Sequence, residues 1–399
     1  MILDDKRILL GVTGSISAFK AASVASKLTQ LGALVDVVLT ANGAKLVGPA
    51  TFEGVTHRRC HTDTFADCAD LSASHVTLGS QADLAMVAPC SANMLAKIAH
   101  GIADDKLSTT MLAVRCPVVI APAMNCFMYE NAATQANIAT LRARGMTVVE
   151  PATGNLACGY TAKGRLPEPD ELVEIALRHL AMPKLLTGRR VLVTAGATRE
   201  FLDGVRCLTN PSTGKMGYAC ARAAAMAGAE VTVVAAPTSA APPLGIRTIP
   251  VVSAHDMAQA VFAEFDRTDI VIMAAAVSDF TPATRAEGKI HKEQAALTVE
   301  FARTVDILAE LGRRRRPDQF LCGFCMETAA LIERASHKLI AKNLDMIVAN
   351  DLTAPGCGFA VDTNGVTILT RDGSRSLDVA DKLDIAMEIV RDIAGRVHP

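Results

Sequence analysis

Arg7-Ile-Leu-Leu-Gly-Val-Thr-Gly-Ser15 joins a short apolar run to a turn of threonine, glycine and serine. Residues 16–31 behind it have the composition of a helix. Strand, glycine turn and helix start in that order are the first beat of an α/β fold. The turn also leaves backbone N–H groups and hydroxyls aimed at one spot, which suits an anion such as a phosphate. It is not GxGxxG, and GxxxxGK[ST] occurs nowhere in the chain, so neither the usual dinucleotide fingerprint nor a Walker loop is present. Further apolar runs at 34–40, 83–88, 117–121 and 146–150 are separated by helical stretches. That βαβα rhythm predicts a doubly wound parallel sheet with ligands at the carboxyl ends of its strands.

The rhythm stops at Ala181-Met-Pro-Lys-Leu-Leu-Thr-Gly188 and restarts with Arg189-Arg-Val-Leu-Val-Thr194. Runs at 230–236, 269–275, 319–324 and 345–349 predict a second doubly wound unit. A hairpin-like edge at 366–370 turns through Asp372-Gly373, and 378–395 reads as a final amphipathic helix. The expected organisation is two parallel-sheet α/β domains, 1–183 and 184–399, with no sequence repeat between them.

A formal net charge of -1, from Lys+Arg 40 against Asp+Glu 41, argues against nucleic acid or an anionic membrane as the main partner. Aromatics at 4% with no Trp fit aliphatic sheet cores and not a base-stacking platform. No apolar run is long enough to span a bilayer, and the start Met1-Ile-Leu-Asp-Asp-Lys-Arg7 lacks a signal-peptide layout. The 11 cysteines are irregularly spaced, which points to free thiols and the reducing cytoplasm. Cys322-Gly-Phe-Cys325 overlaps a strand and has no second pair to complete a metal site, so it reads as buried strand. Arg313-Arg-Arg-Arg316 reads as a solvated helix end.

Polar residues gather at the strand ends of the first unit: Thr40, then Ser91 and Asn93, then Asn125, with His75 before the third run. Downstream, 151–169 is rich in glycine and proline and carries Cys158 beside Gly159, so it breaks the helix–strand rhythm and reads as a flap. Ser74-His75, Ala88-Pro-Cys-Ser-Ala-Asn93, Gly101-Ile-Ala-Asp-Asp105, Pro122-Ala-Met-Asn-Cys-Phe-Met128 and Leu156-Ala-Cys-Gly159 through Gly164-Arg-Leu-Pro-Glu-Pro169 together resemble the flavin-dependent cysteine decarboxylases. The resemblance implies a Rossmann-like fold, with FMN held at Gly14, Ser15, Thr40, Ser91 and Asn93. It implies 4′-phosphopantothenoylcysteine as substrate. His75 would assist the oxidation step, Asn125 would hold the substrate carboxylate, and Cys158 would return a proton from the flap. The family usually has Trp where this chain has Tyr129.

In the second unit, Thr194-Ala-Gly-Ala-Thr-Arg-Glu200 opens towards Asp203, Arg206 and Asn210, and Ser212-Thr-Gly-Lys-Met-Gly217 leads into a helix. Arg206 offers a fork for phosphate or carboxylate. Ala274-Ala-Ala-Val-Ser-Asp279 ends a strand in small residues, so a planar ring could lie against its backbone. Lys289 and Lys292 share a loop, and Lys338 and Lys342 stand at i, i+4 on one helix face. These blocks resemble phosphopantothenate–cysteine ligase. The resemblance implies CTP as cosubstrate with magnesium or manganese, metal ligands unassigned, and phosphopantothenate and cysteine joined through an acyl-cytidylate. Lys289 would act on the amine attack, while Asn210 and Arg206 would hold the acyl intermediate. The nucleotide would lie against Ala274, Ala275, Ala276, Asp279, Lys289, Val305, Asp306, Ile307, Leu308, Phe324, Lys338 and Lys342. Departures are His291 for a lysine, Val305, Phe201 and Gly204 for prolines, and Ala197 for a glycine.

The two resemblances together imply a bifunctional enzyme of coenzyme A biosynthesis, in a homo-oligomer whose first-domain trimers join through second-domain dimers into a dodecamer. Two alternatives stay open: a flavin decarboxylase with an impaired ligase, and a flavin- and nucleotide-binding regulator without turnover. A pure binder would need none of His75, Asn125, Cys158, Asn210 and Lys289.

Overall fold

The computed structural model describes residues 1–64, 74–155, 161–290, 298–327, 331–351, 358 and 361–397. The chain divides into two compact units, Met1–Ala181 and Met182–Pro399. Each is built on its own sheet with helices between the parallel strands.

In the first unit β1 (Arg7–Val12), β2 (Leu34–Leu39), β3 (Cys60–His61), β4 (Leu84–Cys90), β5 (Val118–Pro122) and β6 (Thr147–Val148) lie in the order β3-β2-β1-β4-β5-β6. Every pairing is parallel. β4 is buried at every position, as a central parallel strand covered on both faces must be, which explains its unbroken apolar sequence. Leu9, Val38, Val87, Leu95, Leu107 and Ile120 pack into one core around it. Each such side chain stabilises the unit by roughly 1.5–3 kcal/mol through burial. The order reverses between β1 and β4, the switch point at whose carboxyl side a ligand crevice is expected in such sheets.

The glycine- and proline-rich stretch departs from the parallel rhythm in a specific way. β7 (Ala152–Asn155) and β8 (Thr161–Arg165) pair antiparallel as a separate hairpin. Cys158 lies outside the described residues.

The second unit contains β9 (Arg190–Ala195), β10 (Arg199–Phe201), β11 (Cys207–Thr209), β12 (Glu230–Ala235), β13 (Arg247–Pro250), β14 (Ile270–Met273), β15 (Phe280–Pro282), β16 (Phe301–Arg303), β17 (Phe320–Glu327), β18 (Met346–Asp351), β19 (Thr363–Thr370) and β20 (Gly373–Asp381). Its main sheet runs β13-β12-β9-β14-β17-β18-β19-β20. The order from β13 to β18 is parallel and β19 and β20 are added antiparallel. β10–β11 and β15–β16 are small antiparallel hairpins beyond the main sheet. Leu192, Val234, Val261, Phe265, Leu321 and Ile347 anchor the core.

One boundary differs from expectation. The last helix is Lys382–Val397, and residues 378–381 end β20 instead of starting it. After a register shift β19 still pairs with Ala380 and Asp381, and that ladder outweighs the helical composition of the segment. Cys322 and Cys325 both lie in β17, and all cysteines among the described residues are free thiols.

Candidate active sites

The first unit has a cavity of about 690 Å³ at the carboxyl ends of β1 and β4. Its wall is made by Gly14, Ser15, Ile16, Ser17, Phe19 and Lys20 from the first turn and helix, Ser91 and Ala92 after β4, Ala123, Met124, Asn125 and Met128 after β5, and Gly164, Arg165 and Leu166 from the hairpin. Thr13 welds the two central strand ends together. Its Oγ1 donates to Pro89 O at 2.8 Å and accepts from the Ser91 N–H at 2.9 Å. Ser91 caps the helix Ala92–His100, and Asn125 caps Cys126–Glu130 by accepting from the Phe127 N–H at 2.9 Å. The helix Ala18–Gln30 starts beside the same cavity. Helix N-termini and serine hydroxyls converge, which is a setting for an anion, while Ile16, Phe19, Met124 and Met128 offer apolar walls.

The hairpin is seated on this wall by backbone contact. The Met124 N–H donates to Gly164 O at 3.0 Å, and Gly164 has φ of 151°. A Cβ there would stand 2.3 Å from Met124 O, so only glycine admits this approach. Lys20 is buried and donates to Leu166 O at 3.2 Å and Glu168 Oε1 at 2.7 Å, tying the chain after the hairpin to the first helix. Tyr129, standing for the expected Trp, is buried with its hydroxyl donating to Glu150 at 3.1 Å. Glu150 is also bonded by Lys163 and Arg142. The bond from Lys163 is the largest influence, and with Arg142 and Tyr129 it outweighs partial burial to hold the Glu150 carboxyl down at about 2.

Of the expected residues, Gly14, Ser15, Ser91 and Asn125 meet on the cavity wall. Thr40 and Asn93 do not. Thr40 accepts from the Gly43 N–H at 3.1 Å, so its hydroxyl caps a short helix, and Asn93 is exposed on the outer side of its helix turn. Asn42 packs into the space that Gly14 leaves, with 2.5 Å between its Cβ and a Cβ added at Gly14. His75 is half-buried in the helix Ser74–Gln81 and is not part of the wall. Lys20, Arg165 and Met128 join the site without having been singled out as ligand residues. They come from a helix face and a hairpin leg whose roles depend on pairing across the chain.

The second unit has a cavity of about 430 Å³ at the carboxyl ends of β14, β17 and β18. Asn210, Ala274, Ala275, Ala276, Asp279, Val305, Asp306, Ile307, Leu308, Phe324, Lys338 and Lys342 all line it, as expected of them. The loop after β14 is held by the one after β9: the Ala275 N–H donates to Thr194 Oγ1 at 3.1 Å and the Ser278 N–H to Thr198 Oγ1 at 2.9 Å. Gly217 brings the helix Lys215–Met226 against β9, since a Cβ there would lie 2.7 Å from Thr194 O. Lys342 Nζ sits 2.8 Å from Asp306 Oδ2. Burial would raise the Asp306 carboxyl, but the Lys342 bond and the Ala309 N–H outweigh it and hold it below its ordinary value.

Arg206 and Lys289 are not on this wall. The Arg206 guanidinium is turned to Asp203 at 2.8 Å and Ile290 O at 3.0 Å, and Lys289 is exposed. Lys215, from the stretch 212–217, lines the cavity too, and Asn350 and Lys382 line it unforeseen. Asn350 is buried at the end of β18, and no donor among the described residues reaches its Oδ1. Lys382 was hidden inside an expected helix, whereas it is the first residue of the real one. Among the described residues no three His, Cys, Asp or Glu side chains gather as a metal site, and no helix is long and apolar enough to cross a membrane.

Comparison with known proteins agrees with this two-unit layout. Residues 2–181 match the family described as Flavoprotein, and residues 186–396 the DNA/pantothenate metabolism flavoprotein C-terminal domain. The chain is 47% identical over 398 residues to the coenzyme A biosynthesis bifunctional protein CoaBC of Bacillus subtilis (strain 168), covering 99% of this chain and 98% of that one. It is 42% identical over 390 residues to the protein of the same name from Vibrio cholerae, covering 97% and 98%. A crystal structure of the C-terminal domain of such a protein is 41% identical, covers 54% of this chain and 98% of its own, and superposes with a TM-score of 0.47. The chain belongs to the family of bifunctional coenzyme A biosynthesis proteins, which unite a flavoprotein decarboxylase and a ligase in one polypeptide.

Proposed function

We propose that the second unit joins phosphopantothenate to cysteine at the expense of CTP, and that the first decarboxylates the product to 4′-phosphopantetheine with FMN. The observation that carries this reading is the convergence of Asn210, 274–276, Asp279, Phe324, Lys338 and Lys342 on one cavity from separate segments. Small residues there let a base lie against backbone, and lysines stand where phosphates would follow.

In the ligase, the phosphopantothenate carboxylate attacks the α-phosphorus of CTP and pyrophosphate leaves. The amine of cysteine then attacks the acyl-cytidylate and CMP leaves. Lys338 and Lys342 would neutralise phosphate charge that grows in the first step. Asn210, whose Nδ2 lies 3.5 Å from Ala276 O, is placed to hold the acyl group, with Arg206 and Lys289 acting from the neighbouring loops. Magnesium would be carried chiefly by the phosphates, with Asp279 an exposed carboxylate of the cavity wall beside Asp306, which is paired with Lys342.

In the decarboxylase, the first cavity fits a flavin mononucleotide: hydroxyls and helix N-termini for the phosphate, methionines and Phe19 for the ring. When bound, the flavin supplies a reversible two-electron sink that lets carbon dioxide depart. Asn125 would orient the substrate carboxylate without adding charge to it, His75 would assist the oxidation, and Cys158 would return the proton at the end. The protein would work in the cytoplasm, in the trimer-and-dimer dodecamer that the family resemblance implies.

Full-length protein given phosphopantothenate, cysteine and CTP should release pyrophosphate and then carbon dioxide, with phosphopantetheine formed. Failure to bind added FMN would remove the first assignment, and absence of CTP-dependent pyrophosphate the second. Cys158→Ala should still release carbon dioxide but stall before phosphopantetheine; normal product formation would show the thiol to be dispensable.

A further inference from the structure

Asp203 is wholly buried although it carries a charge. Its Oδ1 accepts from the N–H groups of Val205 at 2.7 Å and Arg206 at 2.6 Å, closing the turn between β10 and β11. Its Oδ2 accepts from Arg206 Nη1 at 2.8 Å and from the Ile290 N–H at 3.1 Å. The same Nη1 donates to Ile290 O at 3.0 Å. A little upstream, the Ala286 N–H donates to Leu202 O at 3.0 Å. Exposed Lys289 stands between these anchors. The N–H groups of Arg206 and Val205, then that of Ile290 and the Arg206 charge, outweigh burial and hold the carboxyl down at about 2.

A buried carboxylate is costly unless its lone pairs are satisfied. Closing a turn of this kind uses one side-chain oxygen, and a neutral asparagine does it as well. The second oxygen of Asp203 reaches beyond its own turn: besides the Arg206 guanidinium it accepts the Ile290 N–H, from the segment that carries Lys289. We propose that Asp203 is a positioning residue for amine attack, docking the segment 286–290 onto the β10–β11 turn and so setting the reach of Lys289. Beyond β11 the same hairpin runs into Asn210 on the cavity wall, so one carboxylate relates the two loops that bear the acting groups. The inference rests on the ligase reading above.

Asp203→Asn tests it in the full-length protein, because it keeps the volume and Oδ1 but turns an NH2 towards two donors. Pyrophosphate release from CTP and phosphopantothenate without cysteine reports the first half-reaction; transfer to added cysteine reports the second. The second should slow by about tenfold or more, within the hundredfold that a 1 Å displacement can cost, while the first changes by less than about threefold. In a Lys289→Ala background, Asp203→Asn should add less than about twofold, since both changes remove the same action. Equal losses in both half-reactions, or an undiminished tenfold in that background, overturn the proposal. Asp203→Ser, which keeps an oxygen for the turn but is too short for Ile290, should repeat the pattern if the asparagine variant does not fold. Trypsin cleavage after Lys289, faster in the variant than in the parent, reads the docking without any ligase turnover. Equal cleavage rates refute the docking, whereas a parent enzyme with no CTP-dependent pyrophosphate refutes only the ligase reading.

Discussion

Gly164→Ala should unseat the hairpin from the Asn125 turn. The added Cβ would lie 2.3 Å from Met124 O, about 0.7 Å inside the 3.0 Å below which such contacts are essentially never seen. The neighbour is backbone and cannot swing aside, so either the hairpin lifts by most of that distance or the Met124–Asn125 turn does. The φ of 151° adds a conformational penalty of about 1–3 kcal/mol for any side chain. For a unit of this size each kcal/mol lowers the melting temperature by about 2–4 °C. A shift approaching 1 Å at Asn125 or at the hairpin leg can cost up to about 100-fold in rate. Melting of the first unit, followed beside phosphopantetheine formation, should show both losses, with the rate falling by about tenfold or more. Gly145→Ala is the matched control: its φ is also positive, at 82°, but no atom lies within 4 Å of the added Cβ. It should lower the melting temperature and leave the rate alone. If Gly164→Ala matched this control in rate, the backbone seat would have no part in catalysis.

Two further outcomes follow from the charge pairs. Glu150 has its folded carboxyl depressed to about 2, below its ordinary value of 4.5, so its contribution is full above the ordinary value and drains away as pH falls towards 2. Glu150→Gln should therefore flatten the loss of stability of the first unit across that acid window, and an acid melting series with unchanged slope would contradict the network with Lys163, Arg142 and Tyr129. Lys342→Met strips the second cavity of a cation and leaves Asp306 without its ion-pair partner, so the KM for CTP should rise by about tenfold or more, equivalent to about 1.4 kcal/mol, with decarboxylation untouched. An unchanged KM would mean the lysine serves Asp306 alone.

The long parallel strands were legible because burial on both faces demands continuous apolar runs, of which β4 is the clearest. The short strands were not. β3 has two residues, and β10, β11, β15 and β16 have three, too few to display any period, whereas two-residue β6 was read only because it falls inside the longer run 146–150. The β7–β8 pair was hidden by its own glycines and the prolines flanking it, which mark a break in the rhythm but say nothing about backbone pairing across it. Small residues after β14 announced the second cavity, since a strand end stripped of side chains is visible in sequence. Asn350 and Lys382 were invisible as cavity residues because they meet it only through strand order and a displaced helix start. Arg206 was legible as a cation, but the buried carboxylate three residues before it took its guanidinium.

The outer strands of the second sheet have a consequence for the protein at cellular concentration. β13 ends at Pro250, which has no N–H to offer a further strand. At the opposite margin β20 carries Ser374, Arg375, Ser376, Asp378 and Asp381, mostly exposed, and Arg375 is drawn to Glu388 and Asp392 of the last helix. Charge at one border and proline at the other deny a second sheet the templates from which intermolecular β-aggregates grow. An eight-stranded sheet with open ends thereby stays finite, and a substitution such as Arg375→Val would be expected to reveal its cost as precipitation on heating before any change in catalysis.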